Sequence, residues 1–451
     1  MGRVGYALHA ARGMFALNLP VSARVRRDFR LDFLSGLFFG VFNGSAVAYI
    51  FVVARTIGVS QFGIGVLTSM SAVGCMLSLP ISLMIKGGAG RTYLFAANYL
   101  SRGILLPLVF LHGPPTYIIA ISVFYVAGGT TGPFYAEIMQ EVYPLEFRGQ
   151  LMSLVRIGSG SVMTASSLLT AWLLGSGYIT YQEVFGIGAV AAVASTYMFS
   201  LVTPVRPAPR PRQSMRDAMA VLWRDRPFAL YELWVFVMAS GAVMAGTLYP
   251  LVIVDKLHTG YGPVGVLSVV SSAGYLLSWF GWGKVVDRTG PVLTMIVVSI
   301  CGLTLPCSML IAPGAYWLAP AMFLNGVASG GYEVGPIAAA IYFSRARPHD
   351  ASLYMALHSI ILGARGIVFP FVATLLLAGR HYELSIGTAL ALSLIGAVML
   401  WRLNAKERRA ETDSVTQPPA MPAQGIARMG YAPMEAAATE VAAQVGPEVE
   451  V

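Results

Sequence analysis

The groups able to do chemistry in this chain are few, and they stand where charge is costly. Glu333 lies in Gly330-Gly331-Tyr332-Glu333-Val334-Gly335-Pro336, within a long apolar run. An ionisable group inside a membrane span is by default a candidate for function. A carboxylate that moves between wet and dry surroundings takes up and releases a proton. Arg365 is fifteen residues into another apolar run, about 22 Å along a helix at 1.5 Å per residue. His358 precedes it by seven residues, two turns away on nearly the same face. One expectation is a Glu333–Arg365 ion pair tuned by His358. Another is that Arg365 grips a substrate carboxylate or phosphate through two parallel bonds. The plain alternatives are a structural ion pair for Glu333 and packing roles for Arg365 and His358.

Glu137 and Arg156 form a second candidate set. Arg156 is close enough to the end of its run to reach the membrane surface with its long stem. A Glu137–Arg156 pair would act as an inner gate. Asn43, Ser45 and Tyr49 offer uncharged polar groups to line a cavity. Arg102 is read as structural, and Glu232 as interfacial.

Other chemistries lack their residues. No glycine-rich loop ends in Lys-Ser/Thr, so ATP-driven work within the chain is not expected. No two histidines have metal-ligand spacing on one helix. No metal, no cofactor and no enzymatic activity are expected. Cys75, Cys301 and Cys307 all lie in apolar runs and read as small packing residues. The net charge of +9 would suit nucleic acid, but the basic residues occupy short stretches between apolar runs. That pattern points to membrane orientation instead.

The elements that must position these groups are membrane helices. The chain is 56% hydrophobic and 11% charged, against about 25% charged in a soluble domain. Twelve runs approach the roughly 20 residues that cross a bilayer: 31–54, 62–85, 92–111, 116–140, 150–174, 181–203, 227–253, 262–285, 291–312, 315–343, 350–378 and 383–402. Helices satisfy their own backbone in lipid, and the ten-residue alternation of a barrel is missing. With the N-terminus inside, 24 of the 30 Lys and Arg fall on the inner side. Arg55, Lys256 and Arg380 fall outside, and Arg102, Arg156 and Arg365 within spans. Both termini are therefore expected in the cytoplasm.

The chain also reads as two similar halves. Gly65 to Ser78 and Gly265 to Ser278 share seven of fourteen residues at an offset of 200, and Gly90 falls on Gly290. Gly132-Pro133 echoes Gly335-Pro336 at an offset of 203. Internal repeats are a transporter pattern. The organisation expected is an N-terminal segment 1–30, a six-helix bundle 31–203, a linker 204–226, a second bundle 227–403 and a disordered tail 404–451. The linker opens with a Pro/Arg stretch and continues as a short amphipathic helix over 214–223.

Gly283-Lys284-Val285-Val286-Asp287-Arg288-Thr289-Gly290 follows the eighth run. It resembles the loop signature of the major facilitator superfamily. In the first half, Met84-Ile85-Lys86-Gly87-Gly88-Ala89-Gly90-Arg91 keeps the turn glycine but lacks the aspartate. Pro144-Leu145-Glu146-Phe147-Arg148-Gly149 resembles the family's loop between spans four and five. The resemblance covers residues 31–403 and implies twelve helices in two pseudo-symmetric bundles. Physically, Asp287 can accept hydrogen bonds from a neighbouring helix N-terminus, Arg288 can reach a carboxylate or phosphate, and Gly290 permits a turn that Pro291 restarts as helix. Together they would form a latch.

These readings describe an all-α polytopic protein of the plasma membrane that moves a small molecule by alternating access, coupled to protons. Its expected partners are that substrate, protons and lipid, with the chain a monomer and no nucleic acid bound. Among substrates, organic anions and amphipathic drugs both stay open, and three intramembrane arginines lean toward the anions. The alternative is a sensor or scaffold that keeps the fold without transporting.

Overall fold

The computed structural model describes residues 21–85, 89–111, 113–203, 215–345, 351–377 and 381–416. These residues are helical almost throughout, with no strand among them. Helix α1, Ala23–Ser45, begins at Ser22, whose hydroxyl accepts from the Val25 N–H. A 3-10 turn at Val47–Tyr49 joins it to α2, Ile50–Thr56, completing the first span. Then come α3, Gln61–Met84, and α4, Ala89–Gly103. The fourth span is α5, Pro114–Gly129, with α6, Gly132–Val142, bent by 42° at the break. The first half closes with α7, Leu145–Gly175, and α8, Tyr181–Ser200, the latter opened by a Thr180–Glu183 capping box.

Helix α9, Met215–Arg224, is the short helix expected in the linker. The preceding Pro/Arg stretch lies outside the described residues. Val221 on α9 is buried among Phe228, Tyr231 and Tyr354, while Met219 and Trp223 are exposed. The second half runs through α10, Arg226–Leu251; α11, Tyr261–Ile311; α12, Ala319–Phe343; α13, Ala351–Leu376; and α14, Tyr382–Thr416. Helix α11 holds both the eighth and ninth runs, folded at Gly290, where φ is 79° and ψ 168°. That combination is essentially open only to glycine. The turn expected at Gly290 is therefore present. Helix α12 continues unbroken through Pro336.

Among the described residues nine helices are long and apolar enough to cross a membrane, and ten if the bent α5–α6 pair counts as one span. Two of the twelve expected runs do not reach that standard. The third ends as a helix at Gly103 and resumes as a 3-10 turn at Leu106–Val109. The tenth, α12, is long enough but diluted by Asn325, Ser329, Glu333 and four glycines.

The repeat read from sequence performs equivalent packing in both halves. A methyl at Gly74 would strike the Tyr125 and Val126 carbonyls of α5, and one at Gly274 the Phe323 carbonyl of α12. Gly65 seats α3 on Thr374 of α13, and Gly265 seats α11 on Ala171 of α7. Small residues at such crossings let helices approach without a large apolar gain between them. Thus α3 packs on α13 and α7 on α11, which joins the halves.

Residues up to Asn404 form one compact unit, and 405–451 a second. Of the residues after 404, which were expected to be disordered, those described are helical. Helix α14 runs on to Thr416, because Ala405-Lys406-Glu407-Arg408-Arg409-Ala410-Glu411 are mostly strong helix formers.

Candidate functional site

The halves meet in layers along the spans. Farthest from the chain's start, Arg55 after α2 donates from Nε to Asp255 Oδ1 at 2.7 Å and Oδ2 at 2.9 Å. Arg55 Nη1 also donates to the Val59 carbonyl at 2.8 Å, and the Tyr382 hydroxyl reaches Asp255 Oδ2 at 3.4 Å. Asp255 sits on the π-helical turn Val252–Lys256 that ends the seventh span. Lys256 is turned away, onto the Met309 and Leu310 carbonyls. Beside this pair the Phe62 and Phe371 rings stand 5.4 Å apart, again across the halves.

The next layer is apolar and tight. Tyr49 is fully buried, donates to the Ser167 carbonyl at 2.8 Å and meets the Tyr261 ring edge-on at 6.4 Å. The Ser69 hydroxyl lies 3.1 Å from the Ile367 carbonyl. Gly363 and Gly366 rest on Met76 and Ala72.

Nearer the chain's start the contact changes character. Arg156 of α7 places Nη1 3.7 Å from Glu333 Oε2 of α12, and these side chains are 57% and 47% exposed. The other Glu333 oxygen accepts from the Tyr275 hydroxyl at 2.9 Å. The Arg156 guanidinium lies 5.7 Å from the Trp279 ring centre, and Tyr275 and Trp279 pack edge to face. Arg156 makes no closer hydrogen bond among the described residues. Among the described residues this cluster joins both halves with one charge of each sign, and both side chains are about half exposed. It can bind a polar group from each side of a small molecule.

Several expectations are corrected by this geometry. Glu333 pairs with Arg156, not Arg365, because it faces the opposing half while Arg365 points into its own. Arg365 is 5% exposed, and its Nη1 makes one long contact, 3.5 Å, to the Val235 carbonyl of α10. Its Nε has no partner. Arg156 is not paired with Glu137, so that inner gate is not formed here. Glu137 is half-buried on α6, close to Gly90.

His358 does not tune Glu333. Its Nδ1 lies 3.1 Å from both carboxylate oxygens of Glu232 on α10. Glu232 is 2% exposed, so it is not interfacial. Its carboxylate shares the α10–α13 seam with His358 and Arg365. Ser45 and Tyr49 are enclosed and do not line an opening: Ser45 bonds the Val41 carbonyl and packs on Gly188. Asn43 donates to the Phe39 carbonyl of its own helix.

The loop after the eighth run is open. Gly283, Asp287 and Arg288 are exposed, and neither charge has a partner among the described residues. No latch contact is made by these two charges among the described residues. Lys86, Gly87 and Gly88 of the first-half loop, and the Arg148 side chain, lie outside the described residues. Arg102 is structural as expected: it donates to the Ala192 carbonyl at 3.0 Å and to Thr196, and covers the Phe39 ring.

Sequence reasoning passed over two buried acids besides Glu232. Asp28 accepts from the Thr203 N–H and hydroxyl, and Asp32 from the Tyr143 hydroxyl at 2.7 Å. The signal was available. Asp28, Asp32, Ser35 and Gly36 share the buried stripe of α1, and Phe228, Tyr231, Glu232, Val235 and Met238 that of α10.

Residues 233–433 match the sequence model of the Major Facilitator Superfamily. That match lies in the second half of the chain and takes in 201 of its 451 residues. Two solved structures of the nucleoside transporter NupG share the fold. A point mutant aligns with a TM-score of 0.65 at 12% identity, over 84% of this chain and 99% of that one. The other aligns with a TM-score of 0.62 at 13% identity, over 86% and 100%. No curated protein matches the sequence. The partial match and the shared fold support a multi-pass membrane transporter. Within that fold, the Arg156–Glu333 cluster lies where the two helical halves face each other.

Proposed function

We propose that the chain is a secondary transporter that carries a small molecule by alternating access between its two halves. The observation that carries this reading is the unequal seam. At one end the halves are held by the short Arg55–Asp255 bridge and by glycine contacts along α3–α13 and α7–α11. Toward the other end the cross-half ion pair is long and half exposed. A seam tight at one end and looser at the other supports one of the two states that alternating access requires.

In the proposed orientation the termini are cytoplasmic and the membrane is the plasma membrane, following the Lys/Arg asymmetry. Arg55–Asp255 then closes the outside, and the conformation opens inward. Proton coupling belongs to the same reading. Glu333 is the proposed carrier, since it faces the opening and would lose solvent when the halves close there. Proteoliposomes of wild-type protein should then accumulate substrate when a pH gradient is imposed, and only equilibrate without one.

The deciding experiment measures distances across the seam. With Cys75, Cys301 and Cys307 replaced, spin labels go at Gln61 and Thr259 on one side and at Met84 and Arg345 on the other. Alternating access gives two populations at each pair, the first distance lengthening as the second shortens. One fixed distance at each pair, at every pH and solute tested in vesicles, would favour the sensor or scaffold instead.

A further inference from the structure

The composition of the cross-half cluster constrains the substrate's charge. The sequence holds three intramembrane arginines and so leans toward an anion. The structure removes two of them from contention. Arg102 is bound to α8 backbone and hydroxyls within its own half. Arg365 is buried beside α10. Of the three, Arg156 alone is largely exposed, and it faces a carboxylate across the halves. Among the described residues the exposed cluster is therefore neutral overall, with a cation on α7 and an anion on α12. A substrate with a single charge would satisfy one of these groups and confront the other with its own sign.

The existing pair is weakly made. At 3.7 Å, Arg156 and Glu333 attract but do not form a short charge-assisted hydrogen bond. The guanidinium has donors to spare, and one Glu333 oxygen is occupied by Tyr275. The Trp279 and Tyr275 rings wall one side. We propose, building on the transporter reading, that the substrate is a compact zwitterion of the α-amino-acid type. Its carboxylate replaces Glu333 on Arg156, its ammonium replaces Arg156 on Glu333, and its side chain lies along Trp279. One weak contact is exchanged for two charge-assisted ones, each about twice as strong as a neutral hydrogen bond. A neutral ring compound can also touch both groups, but it leaves both charges with weaker partners. Because the ammonium and a coupling proton both need the same Glu333 carboxylate, they exclude each other, which favours exchange of substrate against protons.

The test is thermal unfolding of the purified full-length protein with a panel of free α-amino acids of differing side chains. Each is compared with its N-acetyl derivative, which is only an anion, and its amide, which is only a cation. Uridine serves as a neutral ring probe. At least one free amino acid should raise the midpoint in a saturable way. Its two derivatives should need at least about tenfold more ligand, because each forfeits one charge-assisted contact. In Arg156→Gln the free acid and its amide should become equivalent, and in Glu333→Gln the free acid and its N-acetyl form. Stabilisation by N-acetyl forms alone, by uridine alone, or by no free amino acid overturns the proposal, as does a preference unchanged in both variants. Seam distances that alternate without any zwitterion preference would leave the transporter standing and sink only the substrate class. Zwitterion binding with fixed distances would sink the transporter reading instead.

Discussion

At the scale of single residues, exposure separates two kinds of charge in the spans. Glu232 and His358 are enclosed, each the other's hydrogen-bond partner. Removing one leaves the other buried without a partner, which costs about 1–3 kcal/mol. Glu232→Ala and His358→Ala should each lower the thermal midpoint in detergent. Glu232→Leu with His358→Leu, which removes both polar groups together, should recover much of the loss. A double variant that adds the two single losses would mean the pair is not coupled. Asp287 is the opposite case. It is exposed and has no partner among the described residues, so Asp287→Asn should change stability by no more than the roughly 0.5 kcal/mol typical of surface changes. Any latch it forms belongs to the other conformation. The spin-label populations should therefore shift in Asp287→Asn while the melting midpoint stays put, and a shifted midpoint with unchanged populations would contradict that role.

At the scale of elements, the glycines carry the most legible part of the sequence. The repeat between Gly65–Ser78 and Gly265–Ser278 was read as two similar halves, and its glycines stand at the crossings of α3 with α5 and α13, and of α11 with α12 and α7, because close helix approach demands small residues. The Gly290 turn was legible for the same reason. Pairing was not. Whether Glu333 meets Arg365 or Arg156 depends on how α12 and α13 are rotated about their axes, and spacing within one helix says nothing of that. Glu232 was misread from its position near the linker, although its place on the buried stripe of α10 predicted burial. The turn yields a clean test. A side chain at Gly290, where φ is 79° and ψ 168°, costs about 1–3 kcal/mol in strain. At Gly281, a helical position with open space around it, alanine is favoured by about 0.5–1 kcal/mol. Gly290→Ala should thus melt lower than wild type and Gly281→Ala no lower. Equal midpoints would mean the turn re-forms in another geometry at no cost.

At the scale of the whole molecule, Arg55 and Asp255 stand 200 residues apart, the same offset as the repeat. Equivalent positions of the two halves have become partners across the pseudo-symmetry axis, one positive and one negative. The bridge is short and only about one-fifth exposed on each side, so it contributes more than an open surface pair, for which about 0–1 kcal/mol is typical. Its loss should act on the balance of states rather than on folding, because the glycine contacts along α3–α13 and α7–α11 remain. Arg55→Ala should lengthen the Gln61–Thr259 spin-label distance in a larger fraction of molecules, with little change in melting. Two states of a membrane transporter commonly differ by a few kcal/mol, so removing about 1 kcal/mol moves the population ratio roughly fivefold. Asp255→Ala should do the same. The symmetry makes a sharper prediction. In Arg55→Asp with Asp255→Arg the charges trade places across the axis, so the pair maps onto itself and most of the wild-type distribution should return. Recovery should stop short of complete, because Arg55 also holds the Val59 carbonyl and Asp255 the Tyr382 hydroxyl, and those neighbours do not trade places. A swapped variant no closer to wild type than Arg55→Ala would show that the bridge acts through those one-sided contacts and not as a symmetric clasp between the halves.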